Sequence, residues 1–253
     1  MSGLFSLEGR TALVTGASRG IGRSLAGALA EAGAHVVLNG RDEGALRRAA
    51  DEIRSAGGSA DIAPFNVIDP DAVEQAVAGI EAVRPIDILV NNAGIQRRAP
   101  LHEFDDADWR ELMATNLDGV YYVSKHVARG MLGRGRGKII NIASVQSELA
   151  RPTIAPYTAA KGAIRNLTRG MCADWAPRGL QINAIAPGYF NTPLNAALVA
   201  DAEFDKWICG RTPAGRWGEL SDLHGAAIFL ASAASDFING QTIYVDGGIT
   251  TVI

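Results

Sequence analysis

Residues 11–39 read TALVTGASRGIGRSLAGALAEAGAHVVLN and indicate a strand, a glycine-rich turn, a helix and a second strand, in that order. The opening TALVT is short and apolar, as expected of a buried strand. From Ile21 to Ala32 the apolar residues recur at helical spacing, and Gly33 ends that pattern. A helix between two successive strands predicts a parallel pair joined by a right-handed crossover.

The same alternation continues along the rest of the chain. Further strands are predicted at 59–65, 86–91, 137–144, 180–187 and 241–248, and further helices at 42–56, 70–83, 106–132, 156–176 and 219–231. Residues 189–218 lack a clean period, and we interpret them as a mobile substrate-loop insertion with short helices. Length leaves one or two domains open, but no linker divides the chain. We therefore expect one α/β domain over residues 1–253, a Rossmann-type doubly wound parallel sheet of about seven strands with helices on both faces.

Composition narrows the class of partner. The 253 residues are 20% charged with a net charge of -3, so there is no basic surplus for binding a nucleic acid. No run approaches the ~18 apolar residues of a membrane span, and the first residues do not resemble a signal peptide. Cys172 and Cys209 are too few for a disulfide scaffold and lie in no metal-binding cluster. We expect a cytoplasmic protein with a small-molecule partner and with no nucleic-acid, membrane or metal partner.

The glycine-rich turn is a candidate phosphate site. Gly16, Gly20 and Gly22 lie where a helix begins, so free backbone N–H groups and the positive end of the helix dipole would face a pyrophosphate. The spacing differs from the common G-x-G-x-x-G fingerprint. A tight strand-to-helix connection without a ligand is the alternative, although the strand, turn, helix and strand arrive in the order that a dinucleotide site requires.

The end of the second strand bears on the choice of nucleotide. A site selective for NAD usually has a carboxylate there, whereas this sequence has Asn39 and Gly40 followed by Arg41. Arg41, with Ser18 and Arg19 of the turn, would suit a 2′-phosphate, because guanidinium groups match its oxygens. We expect NADP(H) in preference to NAD(H). The alternative is that Arg41, beside Asp42, only solvates the start of the next helix.

The third and fourth strands end in FNV (65–67) and NNAG (91–94), on the edge where a doubly wound sheet binds its ligand. Asn66 is expected to hydrogen-bond adenine. Asn91 could instead satisfy only local turn backbone. The remaining predicted nucleotide contacts in these segments and in the glycine turn are Ile21, Val67, Asn92, Ala93 and Gly94.

The stretch APYTAAKGA (155–163) places Tyr157 and Lys161 one helical turn apart. Tyrosine has a free pKa of ~10 and is a poor acid or base near neutrality. A lysine on the same helix face would stabilise the phenolate and lower that pKa. Ser144, at the end of the preceding strand, could donate a hydrogen bond to a developing alkoxide. An isolated Y-x-x-x-K is usually surface decoration, but the glycine turn, NNAG and Ser144 favour a catalytic pair.

Together, TGASRGIG, NNAG, Asn116, Ser144, YTAAK and Pro187-Gly188 resemble the short-chain dehydrogenase/reductase family over essentially the whole chain. The resemblance implies that Tyr157 is the acid/base and that Lys161 tunes it, with both also contacting the cofactor. Ser144 would then polarise the substrate. It also implies a homotetramer.

Three further roles follow from the resemblance, and two of them have alternatives. Asn116 would join a proton relay through water, or it would only bond neighbouring backbone. Pro187 and Gly188 would lie beside the nicotinamide. Thr192 would hold the carboxamide, or it would cap a helix before Pro193.

Polar residues surround the predicted hydride site and favour a small, anionic substrate. They are Gln96, Arg97, Arg98, Gln146, Ser147, Glu148 and Arg151. Within the family, segments such as VVLNGRD, NNAGIQ and SVQSELARPTIAPYTAAKGAI are similar to the gluconate 5-dehydrogenases. That resemblance implies NADP-dependent interconversion of D-gluconate and 5-dehydro-D-gluconate. Arg98, or its neighbour Arg97, would bind the carboxylate, while Ser144, Gln146 and Tyr157 contact the substrate.

Several alternatives stay open at this point. One or both arginines could point to solvent. The activity could be that of a 3-oxoacyl-carrier-protein reductase, which needs an acyl pocket and a basic docking surface, or of another polyol or keto-acid reductase. A dinucleotide sensor without catalysis is disfavoured, because Ser144, Tyr157 and Lys161 are all present.

Overall fold

The computed structural model describes residues 3–192 and 195–252, and seven strands form one parallel sheet in its centre. In chain order they are β1 (Thr11–Val14), β2 (His35–Gly40), β3 (Ser59–Pro64), β4 (Ile88–Asn91), β5 (Gly137–Ile142), β6 (Leu180–Pro187) and β7 (Thr242–Val245). Their spatial order is β3-β2-β1-β4-β5-β6-β7. The chain winds outward from β1 in one direction and then from β4 in the other, so the strand order reverses between them. The predicted doubly wound sheet is confirmed.

Helices connect the strands and cover both faces of the sheet. They are α1 (Gly20–Glu31), α2 (Glu43–Ser55), α3 (Pro70–Val83), α4 (Asp106–Met113), α5 (Gly119–Arg134), α6 (Ala155–Trp175), α7 (Ala196–Val199), α8 (Ala202–Arg211) and α9 (His224–Ala231). The helix predicted at 106–132 is interrupted by a π turn at Ala114–Asp118. Short helices α7 and α8 lie in the predicted insertion. Within the described residues, no helix combines the length and apolarity that a membrane crossing requires.

Alternation along the strands produces two apolar layers, one on each face of the sheet. On β1, Val14 packs in the layer that contains Leu25 and Leu29 of α1, whereas the adjacent Leu13 packs in the layer that contains Val123 of α5. Successive strand side chains point to opposite faces, and each face is sealed by its own helices. The sheet is therefore held rigidly on both sides, and its carboxyl edge is left to the connecting loops.

A buried polar network ties the centre of the sheet to the helices below it. Asn91 Nδ2 donates to Ser124 Oγ at 2.8 Å and to Asn141 Oδ1 at 2.9 Å, and Asn141 Nδ2 donates to Thr168 Oγ1 at 2.9 Å. All four side chains are at most 2% exposed, so these bonds replace lost water contacts. The Nδ2 group of Asn91 therefore bonds buried side chains and not turn backbone. It links β4 to α5 and, through Asn141 and Thr168, to α6.

Candidate active site

A cavity of about 480 Å³ opens at the carboxyl edge of the sheet, where the strand order reverses. Among the described residues, Gly22 and Asn116 lie outside its lining, and so do Arg97, Ser147 and Glu148 of the polar residues predicted around the hydride site. The predicted residues that line it are Gly16, Ser18, Arg19, Gly20, Ile21, Arg41, Asn66, Val67, Asn92, Ala93, Gly94, Arg98, Ser144, Gln146, Tyr157, Lys161, Pro187, Gly188 and Thr192. The loops after six strands thus converge on one site.

The glycine turn packs directly against NNAG. Gly16 has φ +63°, and a Cβ there would lie 2.8 Å from Ala93 Cα, so only glycine fits. Asn92 Nδ2 donates to the carbonyl oxygens of Thr15 and Gly16 at 2.9 and 3.1 Å. A Cβ on Gly22 would lie 2.5 Å from Gly16 O, so Gly22 allows α1 to pack on the turn. Asn92, which lines the cavity, therefore holds the turn by hydrogen bonds, and Gly22, which lies outside the lining, leaves room for α1 behind it.

The first turn of α1 provides an anion site. Its N-cap residue, Arg19, makes no side-chain capping bond, whereas α2, α3, α4 and α8 begin with capping aspartates. The first N–H groups of a helix have no intrahelical acceptor. Here they belong to Gly20 and Ile21, which line the cavity. A pyrophosphate fits this arrangement, because it supplies the acceptors and the charge that the helix dipole favours.

Arg41 lies exposed at the edge of the cavity, after β2. It forms no ion pair or hydrogen bond with any residue in the ranges 3–192 and 195–252. The neighbouring Asp42 accepts from Ala45 N at 2.9 Å and caps α2. Since Asp42 is occupied by the helix and does not line the cavity, it does not neutralise Arg41 there. A free guanidinium at this position fits a phosphate on the adenosine ribose.

Ser144, Tyr157 and Lys161 all line the cavity. Ser144 follows β5 and accepts from Gln146 N at 3.2 Å, which fixes the loop that carries it. Tyr157 is half-buried in the first turn of α6. Lys161 is 5% exposed, its Nζ donates to Ile142 O at 2.6 Å, and that Nζ lies 5.7 Å from the centroid of the Tyr157 ring. Burial lowers the pKa of Lys161 to about 8.

The sequence predicts that Lys161 lowers the pKa of Tyr157, and the structure shows that this prediction is wrong. Burial raises the pKa of Tyr157 above its ordinary value, and the opposing interaction with the Ser144 hydroxyl does not overcome it. The physical reason is the loss of water around the phenolate. The ammonium group of Lys161 donates to the backbone oxygen of Ile142 and not to the Tyr157 hydroxyl. Tyr157 is thus set up as a proton donor.

The structure directs the side chain of Asn116 to backbone. Asn116 Oδ1 accepts from Ile95 N at 2.7 Å, and its Nδ2 donates to Ile95 O at 2.9 Å. Asn116 is fully buried within the π turn and does not line the cavity. Its amide therefore clamps the segment after NNAG, in agreement with the second of the two readings that the sequence left open. We treat it as a positioning residue.

The two adjacent arginines have different surroundings. Arg97 donates to Asp108 Oδ1 at 3.2 Å and to Glu111 Oε2 at 2.7 Å, both on α4. Arg98 lines the cavity and has no ion pair among the described residues. Burial lowers the pKa of Arg98, while the tyrosines Tyr157 and Tyr189 act in the opposite direction. The structure therefore favours Arg98 as the group that faces a ligand.

The insertion closes one side of the cavity. Tyr189 and Phe204 pack with ring centroids 5.7 Å apart, and Trp217 lies against Tyr189 at 5.9 Å. Gln146 Nε2 donates to Tyr189 Oη at 3.3 Å. The other side-chain atom of this amide, the buried Gln146 Oε1, has no partner among the described residues. An unpaired buried acceptor of this kind is suited to a ligand hydroxyl. The aromatic cluster therefore places Gln146 for a polar substrate.

Thr192 is 7% exposed and lines the cavity. Its carbonyl accepts from Asn195 N at 2.9 Å, and Asn195 occupies the position before α7. Pro193, which defined the alternative helix-cap reading, lies outside the described residues. The position of Thr192 is compatible with a cofactor contact.

Arg151 and Tyr189 are cavity-lining residues that were not predicted to bind a ligand. Both carry groups that influence the pKa of Arg98. Arg151 stands out in the sequence as a cation near Ser144, but its loop has no periodicity that would indicate where it points. Tyr189 follows Pro187-Gly188 directly, so its position after a strand end is the signal that could have identified it.

The comparisons with known proteins agree with this geometry. Residues 16–250 match the family described as enoyl-(acyl carrier protein) reductase. The chain is 61% identical to a gluconate 5-dehydrogenase of Gluconobacter oxydans (strain 621H), over 98% of this chain and 97% of the relative. It is 48% identical to a 5-keto-D-gluconate 5-reductase of Escherichia coli (strain K12), over 100% of both. A crystal structure of a gluconate 5-dehydrogenase from Burkholderia cenocepacia J2315, in complex with NADP and tartrate, matches with a TM-score of 0.97 and 62% identity, over 98% of each chain.

Proposed function

The chain belongs to the short-chain dehydrogenase/reductase family of oxidoreductases, and from this premise we propose that it interconverts D-gluconate and 5-dehydro-D-gluconate with NADP(H). The observation that carries the proposal is one continuous cavity. Its lining includes the uncapped N-terminal residues of α1, Arg41, Ser144, Tyr157 and the unpaired Arg98. These groups suit the phosphates of a dinucleotide, the oxygen of a carbonyl and a carboxylate.

The residues of the chain supply binding and proton transfer. NADP(H), when bound, supplies or accepts the hydride. Ser144 is placed to donate a hydrogen bond to the C5 oxygen, and Tyr157 Oη to give that oxygen a proton in reduction or remove one in oxidation. Lys161, buried beside the Tyr157 ring, contributes a positive charge that favours the phenolate whenever the tyrosine loses its proton.

Binding of a sugar acid is supported by the polar wall of the cavity. Arg98 would pair with the carboxylate, and Gln146, with its free Oε1, would accept a hydroxyl hydrogen bond. Arg97 is excluded from this role in the described structure by its pairs with Asp108 and Glu111. The carboxylate and one hydroxyl of the substrate would then meet groups that the described residues leave unpaired.

Other substrates of the same reaction class stay in competition. A relative from Formosa agariphila, 47% identical, is a 2-dehydro-3-deoxy-D-gluconate 5-dehydrogenase, which acts on another sugar acid. A 3-oxoacyl (acyl-carrier-protein) reductase from Agrobacterium tumefaciens C58 matches at 34% identity with a TM-score of 0.92. The unpaired cation in the cavity favours a carboxylate substrate over an acyl thioester, which is neutral at its reacting end.

A steady-state screen distinguishes these substrates. We expect NADPH oxidation with 5-keto-D-gluconate to have a kcat/KM at least about 100-fold above that with an acetoacetyl thioester, because the thioester has no carboxylate near its carbonyl. The absorbance of NADPH measures both, with 2-dehydro-3-deoxy-D-gluconate oxidation as a third arm. Turnover of the thioester without turnover of either sugar acid would contradict the proposal.

The cofactor preference has its own test at Arg41. Arg41→Ala should raise the KM for NADPH roughly 10- to 100-fold, because a charge-assisted contact to the 2′-phosphate is lost. The KM for NADH should stay within about twofold of wild type, since its ribose lacks that phosphate. Arg48→Ala, an exposed arginine on α2 outside the cavity, is the matched control. Equal losses for both cofactors would refute the contact.

We also propose a homotetramer. Several aromatic side chains are exposed, among them Trp109 on α4, Tyr121 on α5 and Phe237 before β7, with exposed fractions of 41%, 47% and 104%. Exposed aromatic residues are typical of subunit contacts. Light scattering measures the mass directly, and a monomer at micromolar concentration would contradict this assembly.

A further inference from the structure

A second guanidinium, that of Arg151, lines the same cavity as Arg98. Both side chains line it, and the charge of Arg151 contributes to the lowered pKa of Arg98. Neither arginine forms an ion pair with a described residue. Two like charges held together without a carboxylate are unfavourable unless an anion joins them. The pair therefore points to an anionic group in the ligand.

Most N–H donors of the Arg151 guanidinium have no partner among the described residues. Its one hydrogen bond to the described protein is a long one, from Nη1 to Pro152 O at 3.5 Å, and its buried Nε has no partner there. A guanidinium carries five N–H donors in a planar fork that matches a carboxylate. Most of these donors are unused by the described residues. Arg151 is thus equipped for a bidentate contact that the protein itself does not make.

Phe204 of α8 holds Arg151 in place. The guanidinium carbon lies 5.7 Å from the centroid of the Phe204 ring. Phe204 packs in turn on Trp207 and on Trp217, with ring centroids 5.3 and 6.2 Å away, and Trp217 Nε1 donates to Asp205 Oδ1 at 2.7 Å. A cation–π contact orients a guanidinium without neutralising its charge. The insertion therefore positions Arg151 and leaves its donors free.

The backbone fixes the separation of the two arginines. Ala99 N, next to Arg98, donates to Thr153 O at 3.1 Å, two residues after Arg151. Thr153 has φ +71°, a conformation that is costly for a β-branched residue. Such a conformation persists only where the surrounding contacts impose it. The hydrogen bond from Ala99 N to Thr153 O thus joins the segments that carry Arg98 and Arg151. The strained backbone at Thr153 is part of this connection.

We propose that Arg151 is a specificity-determining residue that binds the carboxylate of the substrate jointly with Arg98, and that Phe204 positions it for this contact. The inference rests on the proposed sugar-acid oxidoreductase function and deepens it. It assigns the selection of an anionic substrate to two cations on separate loops. It also gives the insertion a role in binding, through α8.

Kinetics with charged and neutral ketones test the role of Arg151. Arg151→Gln should raise the KM for 5-keto-D-gluconate roughly 10- to 100-fold, with kcat within about threefold, because a charged hydrogen bond to bound substrate is lost. The kcat/KM for a neutral ketohexose should stay at its wild-type level. Arg151→Lys should recover part of the loss, since charge returns without the planar fork. Arg110→Gln, at an exposed arginine on α4 outside the cavity, is the matched control.

The contact with Phe204 predicts a smaller effect of the same kind. Phe204→Leu keeps an apolar side chain but removes the ring face, and the KM for the keto acid should rise roughly 3- to 10-fold. If Arg151→Gln loses kcat/KM equally for charged and neutral ketones, Arg151 does not determine specificity. An unchanged KM of Arg151→Gln for the keto acid leads to the same conclusion.

A binding experiment separates this inference from the proposed reaction. Tartrate, a small hydroxy dicarboxylate, is titrated calorimetrically into the wild type and Arg151→Gln with NADP⁺ present. We expect the Kd to rise at least about tenfold in the variant. If the wild type reduces no sugar acid but still loses tartrate affinity in this variant, the substrate assignment fails and the role of Arg151 stands. Equal tartrate affinity in both proteins, or none in the wild type, overturns the role of Arg151.

Discussion

Tyr157→Phe should lower kcat for 5-keto-D-gluconate reduction by roughly 10²- to 10⁴-fold, the range associated with loss of a general acid. Burial raises the pKa of Tyr157, so the phenol holds its proton at neutral pH and is available to donate it. Phenylalanine keeps the ring and removes only the hydroxyl, so the helix and the cavity should persist. The affinity for NADPH, measured by fluorescence titration, should stay within about threefold of wild type.

A second tyrosine provides the control for this change. Tyr244 also has its pKa raised, to about 12, and donates to Glu148 Oε1 at 3.0 Å, but it does not line the cavity. Tyr244→Phe removes a tyrosine hydroxyl that lies outside the cavity and should leave kcat near the wild-type value. A Tyr157→Phe enzyme with kcat within tenfold of wild type would remove Tyr157 from the proton-transfer step.

Lys161 should determine how reduction depends on pH. Burial lowers its pKa to about 8, whereas the pKa of Tyr157 is raised. As pH rises through about 8, Lys161 loses its charge before Tyr157 loses its proton. Because kcat/KM reports groups in the free enzyme, the rate of reduction should be level below pH 8 and fall above it. Lys161→Met should lower kcat/KM for reduction roughly 100-fold at pH 7, because the cation that favours the phenolate is removed.

Lys161→Arg identifies the titrating group. Arginine keeps its charge through the whole accessible pH range, so the fall above pH 8 should disappear in this variant even if the rate is lower. The profile of kcat/KM from pH 6 to 10, with NADPH and 5-keto-D-gluconate, provides the measurement. Persistence of the same fall near pH 8 in Lys161→Arg would assign it to another group.

Periodicity was enough to predict the sheet and its helices, because alternation and helical spacing are local properties of the chain. Val14 and Leu13 lie on opposite faces as a strand requires, and α1 ends before Gly33. The π turn at Ala114–Asp118 was not predicted. This turn contains Asn116, which makes two hydrogen bonds to the backbone of Ile95, 21 residues earlier. Local periodicity does not reveal contacts between residues so far apart in the chain.

The location of the candidate site residues at one edge of the sheet was also predictable, but their hydrogen-bond and ion-pair partners were not. Strand ends converge on one edge, so Ser144, Asn92 and Gly188 could be placed near the ligand. The choice between Arg97 and Arg98 depends on Asp108 and Glu111, which reach Arg97 from α4. The Tyr157 pKa depends on how much water the folded chain excludes. Both are properties of tertiary packing.

The identity of the product shows which carbon of the sugar acid the enzyme reduces. Wild-type enzyme is supplied with NADPH that carries deuterium at the transferred position and with 5-keto-D-gluconate, and the product is analysed by NMR. We expect D-gluconate with deuterium at C5. The C5 epimer, deuterium at any other carbon, or no deuterium in a product would contradict this expectation.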